Sequence, residues 1–276
     1  MMKPLEDIAN QADIVLVLAT GNKSKIAEIK RISRTYFTGK TLAMMPLAEL
    51  AEATGLSADK LESDESELSY QDIARGKVSL VQAVLKDIDL PDTFKQKAWL
   101  LGDDYGASIS ALKFCYQTGE KPLDVVFNEE GYIARVLTNH EHLNGQPAPA
   151  YFSKRVIKAT AQREGITDVY SQQAFNTMAK QLFYWAQKNQ DWQTTATVAV
   201  ALGRIDNTQV SVFEHTAVYT LIDETDLPVN GVDFDRVQAR GKGLPPIALW
   251  QSQEKDTYHP RGIALRQAFE KIATHA

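Results

Sequence analysis

Apolar residues recur along this chain in two rhythms, and the changes from one to the other mark out its elements. The run from Ile14 to Ala19 is continuously apolar and stops at Thr20-Gly21-Asn22, which reads as a buried strand ended by a turn. From Ser24 onward the apolar positions become Ile26, Ile29 and Ile32, with Lys23, Lys25, Lys30 and Arg31 between them, so a helix follows. A short leading helix fits residues 4 to 12. In "SYQDIARGKVSLVQAVL" the residues Ile73, Val78, Val81, Val84 and Leu85 share a helical face. Ala98 to Leu101 then reads as a second buried strand, broken at Gly102-Asp103-Asp104. "LDVVFNEEGYIARVL" reads as a strand pair turning at Glu130-Gly131. "SQQAFNTMAKQLFYWAQK" is the clearest amphipathic helix, with Phe175, Met178, Leu182 and Ala186 on one stripe and Ser171 as its cap. Two strand-like runs flank a turn at Asp206-Asn207, and "RGIALRQAFEKIA" closes the chain as a helix. The stretches from Thr41 to Leu68 and from Gly231 to Pro246 read as loops. Helices interleaved with strands, together with a hairpin, predict an α/β fold on a sheet with some antiparallel strands.

Composition narrows the classes of function. The 276 residues, 44% of them hydrophobic, suffice for one large domain or two lobes. A net charge of −5 with the two signs intermixed lacks the broad positive field of a nucleic-acid binder, so any polyanion is small and locally bound. No apolar run reaches membrane-spanning length, and no basic-then-apolar leader precedes Asp13; these features predict a cytoplasmic protein without a membrane partner. The single cysteine, Cys115, excludes a disulfide framework and a cysteine-based zinc site.

Four features carry candidate chemistry. The loop Thr20-Gly21-Asn22 aims backbone N–H groups and a helix N-terminus past the end of the first strand, which suits an anion and equally suits an ordinary surface turn. Asp103 and Asp104 stand side by side at the end of a buried strand, where unpaired charge is costly, so they need a cation, a basic partner or water. Glu62, Asp64, Glu65 and Glu67, with Asp72 beyond, are hard oxygen donors of the kind Mg²⁺ takes alongside phosphate oxygens, or else a solvated acidic loop. Lys25, Lys77, Lys255 and Arg261 are basic residues scattered along the chain.

The order "LATGNKSKIAEIK", "DESELSYQDIARGKV", "LGDDYGAS", "APAYFSKR", "GVDFDR", "EKDTYHPRGIALRQAF" resembles the inosine triphosphate pyrophosphatase family, the Ham1-like nucleoside triphosphate pyrophosphatases. The resemblance runs over most of the chain, treated as one domain over 1–276, with extra sequence around 35–60, 86–98 and 113–148. It implies an elongated mixed sheet with flanking helices, two lobes around a central cleft, and a homodimer. It also implies Mg²⁺-dependent hydrolysis of a nucleoside triphosphate, of an inosine or xanthosine kind, to the monophosphate and pyrophosphate.

Carried over by residue, the phosphate-binding T-G-N-x-x-K falls on Thr20, Gly21, Asn22 and Lys25. The acidic metal ligands fall on Asp64 and Glu65, the later lysine on Lys77, and the D-D-S-G motif on Asp103-Asp104-Tyr105-Gly106. Asp104 is then both metal ligand and water activator, with Asp103 beside it and Tyr105 against the substrate. Y-S-A-R reappears as Phe152-Ser153-Lys154-Arg155. The aromatic base-stacking loop G-F-G-Y-D-P reads Gly231-Val232-Asp233-Phe234-Asp235-Arg236, so Phe234 and Asp235 take the base-side roles. Lys255 and Arg261 match the last basic residues, but Pro260 stands where the family's histidine would be and His259 comes one residue early. Phosphate chemistry is therefore better preserved than base reading. The alternatives are a degenerate member that binds nucleotide without hydrolysing it, and a Maf-like nucleotide pyrophosphatase.

Overall fold

A computed structural model describes residues 3–61, 69–119, 123–149, 159–168, 171–222 and 233–275. The leading helix α1 (Lys3–Gln11) precedes the all-buried strand β1 (Ile14–Leu18), and α2 (Lys23–Tyr36) follows the Thr20 loop. Next come β2 (Leu42–Pro46) and α3 (Leu47–Thr54), in the stretch read from sequence as loop. The reason lies in composition. "LAMMP" has none of the β-branched residues that usually signal a strand, yet it pairs in parallel with β1 from Ile14↔Leu42 to Leu18↔Pro46. Helix α4 (Tyr70–Leu85) is capped by Ser69, whose hydroxyl accepts from the Asp72 N–H, and α5 (Asp92–Lys97) leads into β3.

Strand β3 runs from Ala98 to Tyr116 without stopping at Leu101. The charged dipeptide that looks like a strand end from sequence does not end it, because both carboxylates have cations across from them. β4 (Leu123–Phe127) and β5 (Ile133–Thr138) form the expected antiparallel pair, and β6 (Pro147–Pro149) pairs with β3. After α6 (Gln172–Asn189), capped by Ser171, come β7 (Gln193–Arg204), β8 (Val210–Leu221) and the short β9 (Gln238–Ala239). The chain ends in α7 (Ser252–Tyr258) and α8 (Pro260–Ala273). Among the described residues the sheet order is β2-β1-β3-β7-β8-β9; β1 is parallel to β2 and β3, while β8–β9 and β3–β6 are antiparallel. The fold is a mixed α/β sheet with flanking helices. No helix among the described residues is long and apolar enough to cross a membrane.

Two compact units are distinguishable: one of residues 1–105, 198–215 and 253–276, the other of residues 106–197 and 216–252. The first has a core in which Ile14, Leu16, Ile29, Trp99, Leu101 and Phe269 are buried together, so α2 and α8 cover one face of the sheet. Its other face carries α4. Gly102 makes that approach close: a Cβ there would lie 2.8 Å from the Ala74 carbonyl oxygen and 3.2 Å from Lys77 Cβ. The second unit packs Phe114, Ile133, Val136, Phe175, Met178 and Leu182 around α6. Gln181 fastens that helix to the β5 segment by accepting from the Ile133 N–H at 2.8 Å and donating to the Gly131 carbonyl at 2.9 Å.

Candidate active site

The first unit gathers six charged side chains from four elements. Period-2 alternation along β3 sends Asp103 and Asp104 to opposite faces of the sheet. Asp103, fully buried, points to the α2/α8 face, where Lys25 Nζ lies 3.3 Å and Arg261 Nε 3.2 Å from its Oδ2. Asp104, 7% exposed, points to the α4 face, where Lys77 Nζ lies 3.1 Å from Oδ1. Both lysines also donate to the Asp103 carbonyl oxygen, at 3.3 Å from Lys25 and 3.2 Å from Lys77. That shared acceptor holds the two ammonium groups at one point of the strand. Arg261 is held from its other side by Glu28 of α2, with Nη1 to Oε2 at 2.6 Å.

Local sequence explains how each group is delivered. Asn22 starts α2 by accepting the Lys25 N–H on Oδ1 at 3.2 Å, while Thr20 Oγ1 accepts the Asn22 N–H at 3.2 Å. Thr20, Gly21 and Asn22 thus shape the turn, with Gly21 and Asn22 exposed. Glu28 comes three residues after Lys25, on the same side of the helix. Sequence reasoning missed Glu28, although that spacing was there to be read. Pro260 occupies the first turn of α8, where its fixed φ and missing N–H cost nothing. The buried His259 caps the helix, its Nδ1 accepting from the Arg261 N–H at 3.3 Å. Its ring lies 5.7 Å from Tyr105, and the Arg261 guanidinium stacks over the same Tyr105 ring at 5.2 Å. Gly262 lets α7 and α8 meet closely, because a Cβ there would lie 2.2 Å from the Asp256 carbonyl oxygen. Arg31 of α2 pairs with the Asp256 carboxylate, Nε to Oδ2 at 3.0 Å.

Burial and charge act against each other throughout the cluster. Burial pulls the Lys25 ammonium below its ordinary pKa; Asp103 opposes this, while Arg261 and Lys77 reinforce it. For Asp103 burial works upward, but Lys25, Arg261 and Lys77 outweigh it and hold the carboxyl below its usual range. Glu28 is likewise held down by Arg261 against the upward push of burial. Arg261 itself stays firmly charged, since Glu28 and Asp103 overcome its desolvation.

The remaining candidates are distributed as follows. Lys255 lies partly buried on α7, its carbonyl accepting the His259 N–H at 2.9 Å. In the second unit, Phe234 and Asp235 fall in the single 3₁₀ turn Asp233–Arg236. Asp235 is 3% exposed and, after burial, is the second influence raising the Tyr219 phenol. The neighbouring Arg236 stacks over Phe175 at 4.3 Å. Asp64, Glu65 and the Phe152–Arg155 motif lie outside the described residues. Among the described residues no three His, Cys, Asp or Glu side chains group as a metal site.

A mixed α/β sheet carrying a buried ionic centre on one of its strands defines a class of architecture, and known proteins resemble it in part of the sequence and in fold. Residues 16–116, which bring Lys25, Lys77, Asp103 and Asp104 to the centre, match the model of the Ham1 family. Over that stretch the chain is Ham1-like. Among solved structures it is similar to the Ham1 protein of Staphylococcus aureus, at 15% identity and TM-score 0.58, over 95% of this chain and 100% of that one. It is also similar to a HAM1 protein from Coxiella burnetii, at 14% identity and TM-score 0.57, again over 95% and 100%. At these identities the likeness is one of fold. No curated protein matches the chain in sequence.

Proposed function

We propose that the Lys25–Lys77–Arg261–Asp103–Asp104 cluster is the catalytic centre of a nucleoside triphosphate pyrophosphatase that releases pyrophosphate and a nucleoside monophosphate. The observation that carries this reading is the meeting of Lys25 and Lys77, from two different helices, at the Asp103 carbonyl beside the Asp104 carboxylate. Attack of water on the α-phosphorus piles negative charge onto phosphoryl oxygens, so the reaction needs positioned cations and a proton acceptor. Asp104 takes the proton from the attacking water. The Lys25 ammonium has three donors, two of them directed at Asp103, which leaves a third for a phosphate oxygen. Lys77 supplies the second positive charge, and the Thr20-Gly21-Asn22 turn offers its exposed backbone to the same phosphates. Asp103 touches no substrate in this scheme; it holds Lys25 and Arg261 in place.

The donor set fits Mg²⁺. Lys25, Lys77 and Arg261 are balanced one for one by Asp103, Asp104 and Glu28, so a triphosphate adds negative charge with no surplus of cations to meet it. Carboxylate oxygens are the hard ligands this ion prefers, usually one or two of them with phosphate oxygens and water. Asp104, with Asp64 and Glu65, would hold it; bound there it would neutralise phosphate charge and lower the pKa of a coordinated water. Tyr105, Phe234, Asp235, Lys255 and Arg261 are assigned to the nucleoside side. With His259 engaged as a helix cap and Arg261 in two ion pairs, reading of a 6-oxo purine is altered or relaxed. We place the whole chain in one such domain, working as a homodimer.

The test is pyrophosphate release from ITP, XTP, dITP and the common triphosphates, with Mg²⁺ or EDTA, for the native protein and Asp104→Asn. Metal-dependent release that disappears in the variant is expected. A folded native protein that binds triphosphate and releases nothing would establish the binding-only alternative.

A further inference from the structure

On the outer part of α2 and β2 the first unit has a cavity of about 370 Å³ whose lining shares no residue with the ionic centre. Three cations line it: Lys30 and Arg34, one helical turn apart on α2, and Lys40 from the turn that follows. All three are exposed, and none has an ion-pair partner among the described residues. No carboxylate lines the cavity, although the chain as a whole carries a net charge of −5. The floor is apolar. Phe37, 6% exposed, is fixed there by packing against Tyr36 and Phe269, while Leu42 and Met44 are half-buried side chains of β2, the end strand in the sheet order. Ser33, the one neutral polar residue of the lining, already donates its hydroxyl to the Lys30 carbonyl at 3.1 Å.

A cation near the C-terminus of a helix complements the helix dipole, and that accounts for Arg34. It does not account for Lys40, which lies beyond the helix, or for three like charges sharing one cavity with no acid between them. Mutual repulsion of that kind is relieved by an anion. We propose that this cavity is a second anion site, which takes a phosphorylated small molecule with an apolar body of about the size of a nucleoside monophosphate. The phosphoryl group suits a dianion receptor built from two lysines and an arginine. The Phe37–Leu42–Met44 floor has no use for a bare phosphate, and the volume lies within the usual range of small-molecule sites. The site stands whether or not the ionic centre hydrolyses triphosphates.

The experiment is calorimetric titration of the native protein, the double variant K30A/R34A and Lys25→Met, each with AMP, with inorganic phosphate and with adenosine. Both residues of the double variant are exposed on a helix, and alanine suits a helix, so its thermal midpoint should match the native one. The native isotherm with AMP should contain a salt-sensitive component that persists in Lys25→Met and weakens at least about tenfold in K30A/R34A. AMP should bind that site more tightly than phosphate or adenosine. Superimposable native and K30A/R34A isotherms would overturn the site. Equal binding of phosphate and AMP would overturn the assignment of an apolar-bodied ligand.

Discussion

Replacing Asp103 by Asn keeps the volume of a fully buried side chain and removes its charge. What remains is Lys25 and Arg261 on the same face of the sheet with no carboxylate between them, although Arg261 keeps Glu28. Removing one partner of a buried ion pair costs about 3–5 kcal/mol, because the other charge is left desolvated. For a chain of this size that is a fall in thermal midpoint of roughly 6–10 °C. The pH dependence gives a sharper check. Asp103 has a folded pKa below its unfolded one, so its contribution is complete above the unfolded value and disappears as pH falls through the folded value. The native protein should therefore keep its advantage over Asp103→Asn down through the ordinary carboxylate range and lose it only below that range. Unfolding midpoints of the two proteins, measured side by side from neutral pH to the acid limit of folding, supply the comparison. A gap under about 1 kcal/mol at neutral pH, or one already closed at the ordinary aspartate pKa, would refute the buried-pair account.

Asp104→Asn and Lys77→Met should each lower pyrophosphate release by about 10²–10⁴-fold while leaving a folded protein, as measured by steady-state rates and circular dichroism. Gly102→Ala should destabilise by about 1–3 kcal/mol in denaturant titration, because its Cβ meets the Ala74 carbonyl; activity should fall with it, since the helix that must shift carries Lys77. Lys25 has its pKa lowered chiefly by burial, so release should decline on the alkaline side below the ordinary lysine range, and Lys25→Arg should remove that decline from the pH profile. Arg31→Ala should loosen α7 against α2, seen as faster backbone hydrogen exchange in residues 252–258.

The elements that sequence made legible are those whose burial is periodic. Helices α2, α4, α6 and α8 each bury a stripe, and β1 is buried throughout. Elements without such a pattern were hidden. Helix α7, "SQEKDTY", buries no residue and is tied to α2 through Asp256, a contact 225 residues apart in sequence. Asp103-Asp104 was visible as chemistry and misleading as structure, because a charged pair ordinarily ends a buried strand. What lets β3 continue is its distant partners, with Lys25 78 residues away, and nothing local announces them. His259 likewise reads as a displaced residue until the capping geometry shows that it stands beside Tyr105.

The division of the two aspartates between the faces of β3 makes parity, as well as identity, a constraint on this protein. Even-numbered positions at this point of the strand look toward α4 and odd-numbered ones toward α2 and α8, so a residue inserted or deleted just before Gly102 would exchange the surroundings of the two carboxylates without changing either of them. The carboxylate that had been held between Arg261 and Lys25 would face α4 and Lys77, and the other would face α2 and α8. Length variation that a surface loop absorbs freely is therefore barred here, and any natural or designed variant that alters this strand must do so two residues at a time.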